Sequence, residues 1–242
     1  MISIRPSIFP AGIVAAFSTR QGGASPEPLG LNLSFKVGDD PANVRKNREL
    51  FFRDLGIPTD GLAIPGQVHG SAVRAVDEPG DYPETDALVT SQPNLFLCVS
   101  VADCVPILIY DTVRGAVAAV HAGWRGSASA ITQAAINTMA VKFGTDPADI
   151  LVSIGPSASS CCYVVGPDVS SRFSPEFRTE RGGKIYVDLK EANRDQLVRS
   201  GVKPSNIEVS PHCTISEPGL FHSHRRDGAK SGRMMGVIGR MA

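Results

Sequence analysis

The chain has 242 residues, 42% of them hydrophobic and 20% charged, with 24 basic and 24 acidic side chains and a formal net charge of zero. Mean hydropathy is near zero. That balance excludes a general electrostatic footprint for nucleic acid or an anionic membrane, and no run approaches the length of a membrane span.

Five cysteines (Cys98, Cys104, Cys161, Cys162 and Cys213) are an odd number with two adjacent. They argue against a disulfide framework and for a reduced, cytoplasmic setting. Near the N-terminus the apolar run 8–17 is interrupted by Pro10 and Gly12 and lacks a small-residue cleavage site. It therefore reads as the opening strand region and not as a signal peptide.

Residues 13–18 predict a strand, followed by the glycine turn Thr19-Arg-Gln-Gly-Gly23 with Arg20 at its mouth. Residues 31–35 alternate apolar and polar, as a short half-buried strand would. Asp40 as N-cap and Pro41 in the first turn open a helix that Gly56 closes, with Val44, Phe51 and Leu55 on one face. From 62 to 120 the pattern is mainly strands, at 62–69, 72–76, 86–90, 95–101, 105–110 and 116–120. Several are continuous apolar runs, which predicts that both their faces are covered. Residues 127–143 form the clearest helix, capped by Ser127 or Ser129 and ended by Gly144, with Ile131, Ala134, Ala135, Thr138 and Met139 as its buried stripe. A strand at 150–154 runs into Gly155-Pro156 and a small-residue loop ending at Cys161-Cys162. Asp188-Leu-Lys-Glu191 reads as a capping box opening a helix that stops at Gly201, and 207–209 and 234–238 are the last strands. No repeat or composition break marks a linker. The pattern predicts one α/β (α+β) domain over residues 1–242, with a large mixed β-sheet flanked by helices.

Two apolar runs each deliver one strong ligand or nucleophile at a strand end: Cys104 in Ala102-Asp-Cys-Val-Pro106 and His121 in Val120-His-Ala-Gly-Trp-Arg-Gly126. His69, where an apolar run meets Gly70, is the third candidate. One thiolate and two imidazoles from three strand ends suit a zinc ion with an open fourth position, where water ionises near neutral pH. No compact spacing such as C-x-x-C announces the site. The alternative for a cysteine in an apolar strand is burial as a small hydrophobe, and that is the reading for Cys98; Cys161 and Cys162 read as packing near a turn. The glycines around Trp124 permit close backbone approach, and the helix start beyond could hold an anion. The run 221–233 gathers His222, His224, three arginines and Lys230; with Arg20, Arg225 is a candidate for holding phosphate or carboxylate. His222-Ser-His224 has the spacing of a copper-ligand pair, but a multicopper oxidase needs several such pairs.

Taken in order, Ser18-Thr-Arg-Gln-Gly-Gly23, Val37-Gly-Asp-Asp40, Asn47-Arg48, Gln67-Val-His-Gly70, Ala102-Asp-Cys-Val-Pro106, His121-Ala-Gly-Trp-Arg-Gly126, Ile154-Gly-Pro156, Cys161-Cys-Tyr163 and Arg225-Arg-Asp-Gly228 resemble the YfiH/YlmD-type family. That family is also labelled polyphenol oxidase (laccase) or purine nucleoside phosphorylase. The resemblance implies a single α/β domain with a mononuclear zinc site whose ligands are His69, Cys104 and His121. It implies phosphorolysis of purine nucleosides (adenosine, inosine, guanosine and 5′-methylthioadenosine) and deamination of adenosine. It also brings the family's other ascriptions, amide hydrolysis in the editing of peptidoglycan precursors and copper-dependent phenol oxidation. The chain departs from the family pattern at Ala158-Ser-Ser160, at Val164, and at His222, which is more often aromatic.

Three functional expectations follow: a zinc enzyme of purine nucleosides and phosphate; a cysteine amidase with Cys104 as nucleophile, His121 as base and His69 as orienting group; and a non-catalytic module whose zinc shell is closed by Cys98 or Cys213. Asp103 is the nearest acid or base to a ligand in sequence.

Overall fold

The computed structural model describes residues 2–242. Its strands are mixed, as expected, but they divide between two six-stranded sheets and a three-stranded one. The first sheet orders Ser3–Ile4, Ile13–Ser18, Met234–Arg240, Phe96–Val101, Leu62–Gly66 and Gly80–Pro83. The second orders Ile207–Val209, Ile150–Ile154, Val105–Asp111, Val117–Ala122, Ala87–Thr90 and Val73–Ala75. Strand alternation explains how they stack. Leu97 and Val99 of the first sheet meet Leu88, Leu108, Val117 and Ala119 of the second in one buried cluster. The opposite side chains of the first sheet, among them Ala16, Phe96, Cys98 and Val237, pack on Phe51, Phe52 and Leu55 of helix Pro41–Leu55. The far face of the second sheet, with Val105, Ile107, Ile109, Ala118 and Val120, is covered by helices Ile131–Phe143 and Leu189–Arg199. The layers run helix, sheet, sheet, helix. The continuous apolar runs are thereby covered on both faces, as their composition requires. Among the described residues no helix is long and apolar enough to cross a membrane.

Local grammar fixes most element ends. Asp40 caps helix Pro41–Leu55 by accepting from Ala42 N, and Gly56 closes it at φ 69°. The Asp188 carboxylate accepts from Glu191 N at the start of Leu189–Arg199. Two expectations fail. Residues 31–35 form no strand: Leu31 and Leu33 are fully buried, but their N–H groups donate to the loop carbonyls of Arg20 and Arg233. The Asn32 side chain turns back on Ser34 N, a local bond that competes with a ladder. The expected helix at 127–143 is two helices, Trp124–Ala128 and Ile131–Phe143, parted where Ala130 takes φ 55°; neither Ser127 nor Ser129 caps the longer one.

Candidate metal centre

Cys104 and His121 are 17 positions apart in sequence but neighbours across one strand pair, since Val105 lies opposite Ala122 and Pro106 opposite His121. His69 comes from the other sheet, in the loop after Leu62–Gly66. One ligand atom from each of His69, Cys104 and His121 lies within 4.8 Å of the others, and the two imidazoles meet edge-on at 4.9 Å between centroids.

The residue that assembles them is Asp86, fully buried at the head of strand Ala87–Thr90. Its backbone oxygen accepts from His121 N at 2.8 Å. Its carboxylate accepts from His121 Nδ1 at 2.8 Å, and also from the backbone N–H groups of His69 at 3.0 Å, Val68 at 3.2 Å and Gly70 at 2.8 Å. Those bonds stabilise a loop in which His69 sits at φ 59°, a region that costs a non-glycine residue about 1–2 kcal/mol. Burial pushes the Asp86 carboxyl up, but the His121 and backbone donors outweigh it and hold it below the usual carboxylate range. With Nδ1 committed to Asp86, His121 presents Nε2 to the site. Sequence reasoning missed Asp86; its only signal was an acid leading the apolar run Ala87-Leu-Val89.

Gly123 lies at the floor of the site and, without a Cβ, leaves it open. A Cβ there would stand 3.1 Å from both Cys104 Sγ and His69 Cδ2. Asp103, at φ 86°, is a brace. Its oxygens accept from Thr214 Oγ1 at 2.7 Å and Arg225 N at 2.6 Å, which occupies it structurally and sets it apart from proton transfer.

Burial pushes the Cys104 thiol up, but His121 and His69 reverse this and bring it to about 6. Burial lowers His121 in turn, and Cys104 and Asp86 overcome it, raising the imidazole to about 9. Each charge thus favours the other, a thiolate beside an imidazolium. Two imidazoles and a thiolate converging on one point, with a carboxylate behind one imidazole, are the donor set of an open zinc centre. The residues fit such an ion.

The other candidates separate. Arg225 donates its backbone N–H to Asp103, next to Cys104, while its guanidinium lies 5.0 Å from the Tyr163 ring centre and bonds Val164 O at 2.8 Å. Arg20 is held by Glu27, Pro28 and Pro218 and is not brought to the trio by these contacts. Arg233, half-buried, has its guanidinium on Ser231 O and Gly232 O, close enough to Cys104 and Asp103 to feel their charge. Cys98 is enclosed in the helix-facing core and Cys213 belongs to a separate group with Cys161 and Cys162, so neither closes the shell. His222 is fully buried, whereas His224 is exposed and bonds Gly228 O at 3.1 Å; they form no metal pair. The helix expected to hold an anion after His121 is five residues long and has no side-chain cap.

Over residues 14–241 the chain matches the family described as multi-copper polyphenol oxidoreductase laccase. It is 37% identical to a Bacillus subtilis protein named purine nucleoside phosphorylase YlmD, over 94% of this chain and 88% of the relative. It is also 37% identical to adenosine deaminase RL5 from an unknown prokaryotic organism, over 91% of each. The crystal structure of YlmD from Geobacillus stearothermophilus superposes with a TM-score of 0.94 at 36% identity, covering 100% of this chain and 97% of that one. A structure titled Bacillus licheniformis hypothetical protein YfiH gives 0.90 at 36% identity, covering 94% and 92%. The chain belongs to the YfiH family, the family described as multi-copper polyphenol oxidoreductase laccase.

Proposed function

We propose that residues 1–242 act as one YfiH-type catalytic domain, a zinc-dependent enzyme of purine nucleosides, with phosphorolysis and adenosine deamination as its reactions. The observation that carries this reading is the convergence of His69, Cys104 and His121 within 4.8 Å in a chain 37% identical to relatives named for both activities. A zinc ion held by these three side chains supplies Lewis acidity to substrate or water. The protein's own groups supply the rest. Asp86 fixes the His121 ring, Gly123 leaves the floor open, and the Asp103 brace positions Arg225. In phosphorolysis, phosphate adds at ribose C1′ as the purine leaves. Arg225, and Arg233 with its charge close to Cys104 and Asp103, are the cations suited to hold that phosphate, ahead of Arg20. Five free cysteines accord with a cytoplasmic location.

The test is product analysis with adenosine, inosine, guanosine and 5′-methylthioadenosine, with and without phosphate. Phosphate-dependent release of free base and ribose 1-phosphate (5-methylthioribose 1-phosphate from 5′-methylthioadenosine) supports phosphorolysis, and phosphate-independent inosine and ammonia from adenosine support deamination. No turnover of any of them by zinc-replete protein refutes the proposal.

A specific observation favours a second reading, the cysteine amidase acting on peptidoglycan precursors. Cys104, His121 and Asp86 align as nucleophile, base and orienting carboxylate, with Asp86 and not His69 in the orienting role. Full amidase activity in metal-free protein, with a covalent adduct on Cys104, would favour it over the zinc enzyme.

A further inference from the structure

Cys161, Cys162 and Cys213 bring three sulphur atoms within 4.8 Å of one another, and Cys161 Sγ and Cys162 Sγ are 3.3 Å apart. None has a part in the nucleoside chemistry. Cys213 is buried, Cys162 half-buried and Cys161 exposed, so the group opens on solvent and does not simply fill a core; packing near a turn suits Cys162 but not the exposed Cys161. Two loops meet here. Ser157 and Cys213 form a parallel bridge, and Thr214 N donates to Ser157 O at 3.1 Å.

The surroundings suit an anionic Cys213 but not an anionic Cys161, whose thiol is pushed up to about 12 by burial and by the two neighbouring cysteines. Burial pushes the Cys213 thiol up, but the backbone of Ser159 and the hydroxyl and backbone of Ser216 reverse this and bring it to about 6. The Lys190 ammonium, fixed on Ser210 O at 2.8 Å and His212 O at 2.6 Å, lies near Cys213 and Cys161. The nearby carboxylates are engaged: Glu217 accepts from Cys213 N and His212 Nδ1, and Asp188 accepts from Ser160 Oγ and Glu191 N.

We propose that Cys161, Cys162 and Cys213 form a second metal site, separate from the His69–Cys104–His121 centre, for one thiophilic d10 cation, Cu+ or Zn2+. Thiolates select such soft ions over hard ones. Thiolates about 2.3 Å from a shared tetrahedral ion stand about 3.8 Å apart, so sulphurs already within 4.8 Å reach it by side-chain rotation. Binding releases the thiol protons to solvent and changes no oxidation state. Both loops also bond to Asp103, beside Cys104, through Ala158 N at 2.9 Å and Thr214 Oγ1 at 2.7 Å. A cation here clamps the two loops that brace the first centre.

The experiment titrates the full chain, reduced and anaerobic, with Cd2+ while following the ultraviolet thiolate-to-metal band, and with Cu+ and Zn2+ against chromophoric chelators. Wild type binds a sulphur-rich equivalent in addition to the one at the first centre. His69→Ala loses the first-centre equivalent and keeps the sulphur-rich one. Cys213→Ser loses the sulphur-rich equivalent, and so does Cys161→Ser, whose exposed position leaves folding untouched. Either order of Cu+ and Zn2+ affinity supports the site and names its cation. Retention of the sulphur-rich equivalent in both cysteine variants overturns the proposal, as does reduced wild type that binds no sulphur-ligated cation beyond the Cys104 centre.

Discussion

Replacing Asp86 by asparagine keeps the shape of the side chain and removes its charge, which makes it the sharpest perturbation of the centre. The carboxylate accepts on both oxygens: Oδ1 from His121 Nδ1 and His69 N, Oδ2 from Val68 N and Gly70 N. An amide has one oxygen, so whichever way the substituted side chain turns, its NH2 faces at least one backbone N–H. One or two buried donors left unpaired cost about 2–4 kcal/mol. Over 242 residues that corresponds to a fall in Tm of about 4–8 °C. If the NH2 turns to His121, Nδ1 must accept, the proton moves to Nε2, and the nitrogen facing the metal loses its lone pair. Loss of such an outer partner weakens metal binding by roughly 10–100-fold. Chelator competition measures the affinity and calorimetry the Tm. Wild-type values of both in Asp86→Asn would refute the role assigned to Asp86.

Gly123→Ala tests the floor: its backbone angles suit alanine, so Tm stays near wild type, while a methyl 3.1 Å from two ligands cuts turnover roughly 100-fold; normal steady-state rates would contradict this. In metal-free protein at pH 7, iodoacetamide labels Cys104, at about 6, before Cys98, which burial pushes up to about 12, and Zn2+ protects Cys104; peptide mapping that finds Cys98 labelled first contradicts the assignment. Burial, reinforced by Arg20, lowers His222 from 6.5 to about 3. The folded chain thus refuses a proton that the unfolded chain binds, and stability falls as pH drops from 6.5 towards 3, by about 2 kcal/mol at pH 5. His222→Phe flattens urea-derived stability across that window; an unchanged slope removes His222 as the cause.

Much of this molecule is legible in its sequence wherever the signal is local. Asp40 with Pro41 and Gly56, and Asp188 with Glu191, mark helix ends through bonds only a few residues long. The double-sided apolar strands announce their covered faces. His69, Cys104 and His121 stand out because strong ligands end such runs. What stayed hidden depends on distant pairing or on backbone geometry. Nothing in strand composition says that Phe96–Val101 and Val105–Asp111, neighbours in sequence, belong to different sheets. Ala130 breaks a helix at φ 55° without the glycine that usually flags such a turn. Asp86 gains its role only when the 68–70 loop folds its N–H groups around it, and Cys213 meets Cys161 only across two loops 52 positions apart.

On the proposed reading His69, Cys104 and His121 hold one catalytic metal ion. The decisive measurement is metal analysis of wild type and His69→Ala, both purified without added metal, joined to nucleoside turnover by the same samples. His69→Ala is expected to carry about one ion per chain less than wild type, as an open three-ligand centre requires, and to release no base from adenosine in phosphate. Equal metal content with undiminished turnover would contradict it.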